Sequence, residues 1–355
     1  MNRFNLIKLI FVYYLILYIF TVICPPPFPS EQGAQGGLFL FIYSLMPKIS
    51  YSKSPLSYIE QIEQLKSRGL SIENEEKAIH ILTQISYYRL SGYWYPMLEE
   101  PKSEHKFKEH STFENGFKLY CFDRELRKLI QSELEKIEVA IRSKMIYTLW
   151  HNHDAFWFNK KSFFKSEYAK DRILSKFEDE YKRADEDFIS AFREKYEEEL
   201  PPACMMLEIT SFGSLSFIYK NLKSGSRDRK EIAKYFGLDD KTFASWLHSL
   251  SYIRNVCAHH SRMWNKLMGI SPMIPYNPKN KFISNVSLPN PNEEDDYINN
   301  NRVYFVLAMI TYLLNVINPG HTLIEKFHSL LKKYPMIDIK SLGFPENWEK
   351  EPLWK

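Results

Sequence analysis

Positions 254 to 262 read Arg254-Asn255-Val256-Cys257-Ala258-His259-His260-Ser261-Arg262, which places two guanidiniums, an amide and two imidazoles within two and a half helical turns. A guanidinium offers a planar fork of donors that fits phosphate oxygens. An imidazole titrates near neutral pH and can pass a proton in either direction. Together they suit phosphodiester chemistry. The competing interpretation is structural: Asn255 and His259 satisfy each other in a helix interface, and Arg262 pairs with an acidic neighbour.

At about 100° per residue, Asn255, His259 and Arg262 share one helix face, whereas Arg254 lies roughly 140° around the axis from His259. One straight helix does not easily aim Arg254 and His259 at the same atom. Either the helix is interrupted near Ala258, or the site is assembled from two copies of the segment in a dimer.

Other clusters invite chemistry less directly. Tyr87-Tyr88-Arg89 with Tyr93-Trp94-Tyr95 could stack unpaired bases on Tyr88 and Tyr93 while Arg89 holds a phosphate, and a packed aromatic turn accounts for the same residues. Zinc on Cys257, His259 and His260, completed by His151 or His153, fails the usual paired-ligand spacing. Glu208, beside Ser211-Phe212-Gly213, could orient Arg254 or act as a second acid/base, but a lone helical Glu is usually an ion-pair partner. Phosphate-cradling glycine loops, nucleotide fingerprints and paired-carboxylate metal signatures are missing, which argues against nucleotide hydrolysis and calls for no cofactor.

The spacing of Arg254, Asn255 and His259 resembles the motif of the HEPN superfamily, many of whose members are metal-independent ribonucleases. Further residues carry a narrower resemblance: Gln61-Ile62 with Arg68-Gly69-Leu70, Ser86-Tyr87-Tyr88-Arg89-Leu90-Ser91-Gly92-Tyr93, Phe122-Asp123-Arg124-Glu125-Leu126-Arg127, Glu208 with Ser211-Phe212-Gly213, Phe236-Gly237, the run from Arg254 to Asn265, and Gly343-Phe344-Pro345 with Trp348. Over roughly residues 50 to 350 this order is similar to that of the Abi-like (AbiD/AbiF) abortive-infection family of bacteria. The resemblance implies an all-α, HEPN-type toxin of phage defence that cuts RNA as a homodimer without a metal, some relatives being controlled by a small RNA antitoxin. It also implies the roles: Arg254 and His259 catalytic, Asn255 orienting His259, and His260, Arg262 and Asn265 supporting them. A non-catalytic module that binds RNA or a partner toxin is the alternative.

Composition sets the frame for these elements. A 355-residue chain that is 45% hydrophobic and 25% charged is globular rather than disordered. A net charge of +4 means that any nucleic-acid surface must come from local clustering. The cysteines at 24, 121, 204 and 257 show no CxxC spacing, which points to a reducing compartment such as the cytoplasm. Residues 1–45 form an apolar leader, Leu6 to Cys24 approaching the length of a membrane span. Val22-Ile23-Cys24 lacks the small residues of a signal-peptide cleavage site. A translation start at Met46 is the favoured expectation, and a membrane anchor the second.

Beyond the leader, residues 46–110 are expected to form a helical hairpin and the aromatic turn, and residues 111–355 the helical domain that carries the motif. Ser54-Pro55 is expected to open the first helix and Gly69 to close it. A second helix spans about 75 to 86, and a long one runs from Phe113 to about Trp150 with Asp123–Arg127 and Glu138–Arg142 as offset-four pairs. Residues 166–198 are expected to form one peripheral amphipathic helix on Leu174, Phe177, Tyr181, Phe188 and Phe192. Helices near 203–223 and 228–236 precede one from Asp240 that leads into Arg254. A proline-rich loop fills 270–300, and helices resume over 302–317 and 321–334. Internal repeats and convincing strand patterns are both lacking.

Overall fold

A computed structural model describes residues 50–288 and 297–354. The expected leader, 1–45, lies outside the described residues. Twelve α-helices, several short 3-10 turns and a ribbon of two two-residue strands make up the described residues, so the fold is all-α. The chain divides into two compact units, one ending at Gly116 and the other running from Phe117.

The first unit holds α1 (Tyr58–Ser67), α2 (Glu75–Gln84) and α3 (Tyr87–Trp94). α1 starts three residues later than Ser54-Pro55 suggests, because Ser57 and Glu60 form a capping box: the Ser57 amide donates to Glu60 Oε2 at 2.7 Å and the Glu60 amide to Ser57 Oγ at 3.3 Å. Gly69, at φ 92°, follows the end of this helix as expected. The aromatic segment is not a turn but the two-turn helix α3, capped by Ser86. Its Trp94 packs 5.1 Å from Phe113 between ring centroids. A Cβ on Gly116 would sit 2.1 Å from the Trp94 indole, so only glycine lets the ring lie this close.

The second unit is organised by α4 (Phe113–Asn152), α10 (Asp240–Ala258) and α11 (Val303–Ile317). α4, whose first turn belongs to the first unit, is a single helix. Its buried row in the second unit is Phe122, Leu126, Ile130, Leu134, Ile137, Ile141, Met145 and Leu149, a helical spacing of three and four. Phe117 and Tyr120, on the same side by spacing, are only half-buried. α11 is buried all round from Val303 to Leu314, as befits a helix in the middle of a core.

Between α4 and α10 the structure has more breaks than the periodicity suggests. The 166–198 segment is two helices, α5 (Glu167–Arg183) and α6 (Asp187–Lys195), because Arg193 reaches back to donate to the carbonyls of Ala184, at 3.1 Å, and Tyr181. α5 is not peripheral. Ile173 and Phe177 are fully buried, and Phe177 meets Phe158 edge-on at 5.2 Å; Phe188 on α6 is exposed. The 203–223 segment likewise splits into α7 (Ala203–Ile209) and α8 (Phe212–Asn221). Buried Arg142 donates to the carbonyls of Leu207, Glu208 and Thr210 at the end of α7, and Ser211 caps α8. α9 (Arg227–Tyr235) and α8 both pack against α10. α12 (Leu323–Lys333) closes the chain together with a ring cluster of Phe327, Phe344 and Trp348.

Candidate functional site

α10 begins under a strong cap, the Asp239 carboxylate accepting from the amides of Lys241 and Thr242 at 2.9 Å. It is held along its length by Phe243, Trp246, Leu247, Leu250 and Ile253, all fully buried. It ends abruptly. Ala258 is the last helical residue and His259 the C-cap, and His260 turns into the left-handed region at φ 56°. The His260 amide then donates to Cys257 O at 3.1 Å and the Ser261 amide to Val256 O at 2.9 Å, the paired bonds of a Schellman ending. The position that usually carries glycine carries an imidazole. A histidine there costs about 1 kcal/mol more than in an ordinary conformation, and its ring is exposed.

The same ending explains the exposure of the motif. Val256 and Cys257 point into the core, while Asn255, His259 and His260 are exposed and Arg254 and Arg262 half-buried. Arg254 Nη1 donates to Asn255 Oδ1 at 3.3 Å. This contact brings the Arg254 guanidinium to the Asn255 amide, on the face that Asn255 shares with His259. Asn255 thus has Arg254 as its side-chain partner, and it bonds His259 through the backbone, the His259 amide donating to Asn255 O at 2.9 Å. Asn265 is half-buried and also left-handed, at φ 46°.

The segment after the motif is held by a residue that the sequence presents as half of a helix-surface pair. Asp123 of α4 is fully buried, and its carboxylate accepts the Met263 amide at 3.2 Å and the Trp264 amide at 2.8 Å while pairing with Arg127 at 2.5 Å. A charge-assisted contact of this kind fixes the backbone leaving α10. A signal for it exists in the sequence: Asp123 stands in the apolar stripe between Leu119, Phe122 and Leu126, where a carboxylate needs a buried partner.

The remaining candidates separate clearly. Tyr93 is buried, which removes it as a stacking surface; Tyr88 and Arg89 are exposed on α3. Glu208 Oε2 lies 3.9 Å from Arg142 Nε, so its partner is Arg142. Cys257 packs its sulfur 3.6 Å from that of Met263, and burial pushes its thiol up to about 12. A thiol so reluctant to ionise is a poor zinc ligand, and among the described residues no three His, Cys, Asp or Glu side chains are grouped to hold a metal.

A family model described as Abi-like protein matches residues 80–265, just over half of the chain. The chain belongs to the Abi-like family. The matched region of this Abi-like protein, narrower than the 50 to 350 of the sequence resemblance, runs from α2 through α10 and stops at Asn265, so it contains both Asp123 and the motif. Membership associates the chain with abortive infection, a bacterial defence against phage. No curated protein and no solved structure matches the chain. No helix of the described residues of this Abi-like protein is long and apolar enough to cross a membrane.

Proposed function

We propose that the chain is a HEPN-type endoribonuclease toxin of abortive infection that cleaves RNA with its own side chains and no metal. The observation that supports this reading best is the ending of α10: a strained, left-handed His260 and an Arg254 guanidinium held by Asn255 stand beside the exposed His259 at one helix terminus. Strain of this kind is usually retained at sites of function.

In this reading His259 takes the proton of a ribose 2′-hydroxyl as that oxygen attacks the adjacent phosphorus, and Arg254, steadied by Asn255, faces the charge growing on the phosphoryl oxygens. The 5′-oxygen leaves with a proton returned by an imidazole, His260 being the second one present. Arg262 and Asn265 hold the neighbouring strand. Two shallow surface cavities, lined by Glu125, Leu129 and Lys333 in one and by Asp179, Lys182 and Arg183 in the other, lie away from the motif. Two copies of the chain facing each other across a two-fold axis would enclose the phosphate and exclude water.

Incubation of the purified full chain with cellular RNA in excess EDTA tests the reading. Cleavage is expected to persist, to leave 2′,3′-cyclic phosphate ends, and to stop when the ribose at the cut site is 2′-deoxy. Mixing inactive Arg254→Ala with inactive His259→Ala protein is expected to restore part of the activity if two copies share a site. RNA left intact by the folded protein, with growth inhibition retained, would identify a binding module instead.

A further inference from the structure

Beyond Asn265 the chain does not leave α10 but walks back along it. Cys257 meets Met263, the Gly269 amide donates to Tyr252 Oη at 3.3 Å, the Met273 amide to Ser245 Oγ at 2.9 Å with Trp246 Nε1 donating to Met273 O at 2.8 Å, and the Lys279 amide reaches Gly237 O at 3.0 Å. These contacts advance in order from the C-terminal end of α10 to just before its N-terminal end. The helix and its return segment therefore present one continuous strip.

The strip has an unusual charge pattern. From Lys241 to Asn292 the sequence contains no Asp or Glu, although the chain has 43 of them, and it contains six Lys or Arg and three His. Along α10 the exposed residues Lys241, His248, Asn255 and His259 follow one another at offsets of seven, seven and four, a single helix face. Burial, with a smaller contribution from the charge of Lys220 on α8, lowers the pKa of His248, so that imidazole favours its neutral form and the charge of the strip comes from its Lys and Arg residues. On the return segment Lys279 is exposed and Lys266 half-exposed. Several acids of the described residues near its ends are engaged: Asp239 caps α10, Asp240 pairs with Arg229 at 3.0 Å, Asp123 is buried on Arg127, and Glu351 accepts from the amides of Ser284 and Asn285. Among the cations lie exposed apolar groups, Leu267 at 50%, Met273 at 48% and Tyr276 at 100%. An acid-free run of cations suits a phosphate backbone, and a ring bare to solvent suits a base that is not paired.

We propose that this strip is a track for single-stranded RNA that leads from Lys279 and Lys241 to the Arg254 and His259 end of α10; it rests on the reading of that end as the cleavage centre. The track is ~27 Å long at the rise of an α-helix, room for several nucleotides. Phosphates meet Lys241 and Lys279 at one end and Arg254 and Arg262 at the other, and Tyr276 stacks a base at the entrance.

The test is fluorescence anisotropy of the full chain with a 2′-O-methyl 12-nucleotide RNA, which binds without being cut, in EDTA and over a range of salt. Wild type is expected to hold the single strand more tightly than the duplex of the same sequence. Tyr276→Ala should weaken binding about tenfold. Lys241→Gln with Lys279→Gln should weaken it further and reduce the slope of log affinity against log salt by about 1.4. Lys182→Gln with Lys332→Gln, the same loss of charge on other helices, should leave binding unchanged. Binding by the folded Tyr276 and Lys241/Lys279 variants as tight as by wild type, or equally tight binding of duplex RNA or of polyglutamate, overturns the track. If those variants bind normally while wild type cuts unmodified RNA, the track falls and the cleavage reading stands. If they lose binding while wild type never cuts, the reverse holds.

Discussion

α9 and α10 end in the same hydrogen-bond pattern, with a different residue at the turning point. After α9 the Gly237 amide donates to Lys234 O and the Leu238 amide to Ala233 O, at 3.0 and 3.2 Å; after α10 the corresponding bonds come from His260 and Ser261. Gly237 turns at φ 74° and His260 at φ 56°. At Gly237 a Cβ would lie 2.7 Å from Tyr312 Oη, whose proton is donated to the Gly237 carbonyl at 2.8 Å. That ending is a packing device, and glycine is a steric requirement. At His260 the side chain projects to solvent, so the same backbone serves to display a ring. One turn consolidates the core, and the other, in the proposed reading, gives up some stability to hold a functional group in place.

The sharpest way to break this contrast is to remove the displayed side chains. Arg254→Ala and His259→Ala should each lower RNA cleavage by about 10²- to 10⁴-fold, while thermal melts stay within a degree or two of wild type. A matching fall in melting temperature would mean that the α10 ending is a packing device too. Next in size is the anchor. Asp123→Ala leaves Arg127 buried without its carboxylate and two backbone amides without an acceptor, and should cost about 3–5 kcal/mol in urea unfolding, abolishing cleavage as well.

Gly237→Ala probes the other ending. Its left-handed φ and the approach of Tyr312 predict a loss of about 2–3 kcal/mol with normal cleavage per folded molecule, measured by pairing denaturation with activity. The smallest effect has the most telling sign. His260→Gly should raise stability by about 0.5–1 kcal/mol by relieving the left-handed strain and yet slow cleavage. A variant both less stable and equally active would show that His260 is held for structure.

Helix endings in this chain also differ in how plainly they can be read from the sequence. Gly69 marks a helix end by its type, whereas Ala258-His259-His260-Ser261 carries no stop signal. Only the angular mismatch between Arg254 and His259 hints at an interruption near Ala258, where the helix does end. The long helix α4 and the buried helix α11 are legible because one periodic signal runs through each. The breaks at Ala184 and Thr210 are not, because Arg193 and Arg142 make them by capping carbonyls from outside the local sequence. Asp123 is half-hidden for a related reason: its place in the apolar stripe calls for a buried partner, but the offset-four Arg127 supplies one, so the amides of Met263 and Trp264 go unsought. Tyr93 shows the opposite failure, a residue whose type suits base stacking and whose place in α3 buries it.

The bond from Asp123 to the Met263 amide spans 140 residues of sequence. The backbone that carries Arg262 and Asn265 therefore takes its final form only after α4 has folded and the ribosome has added everything through Trp264. Contacts of such long range form late, and chains of this length tend to fold in stages during synthesis. A chain truncated just before Met263 would therefore keep Arg254 and His259 but lose the amides by which Asp123 fixes the backbone leaving α10.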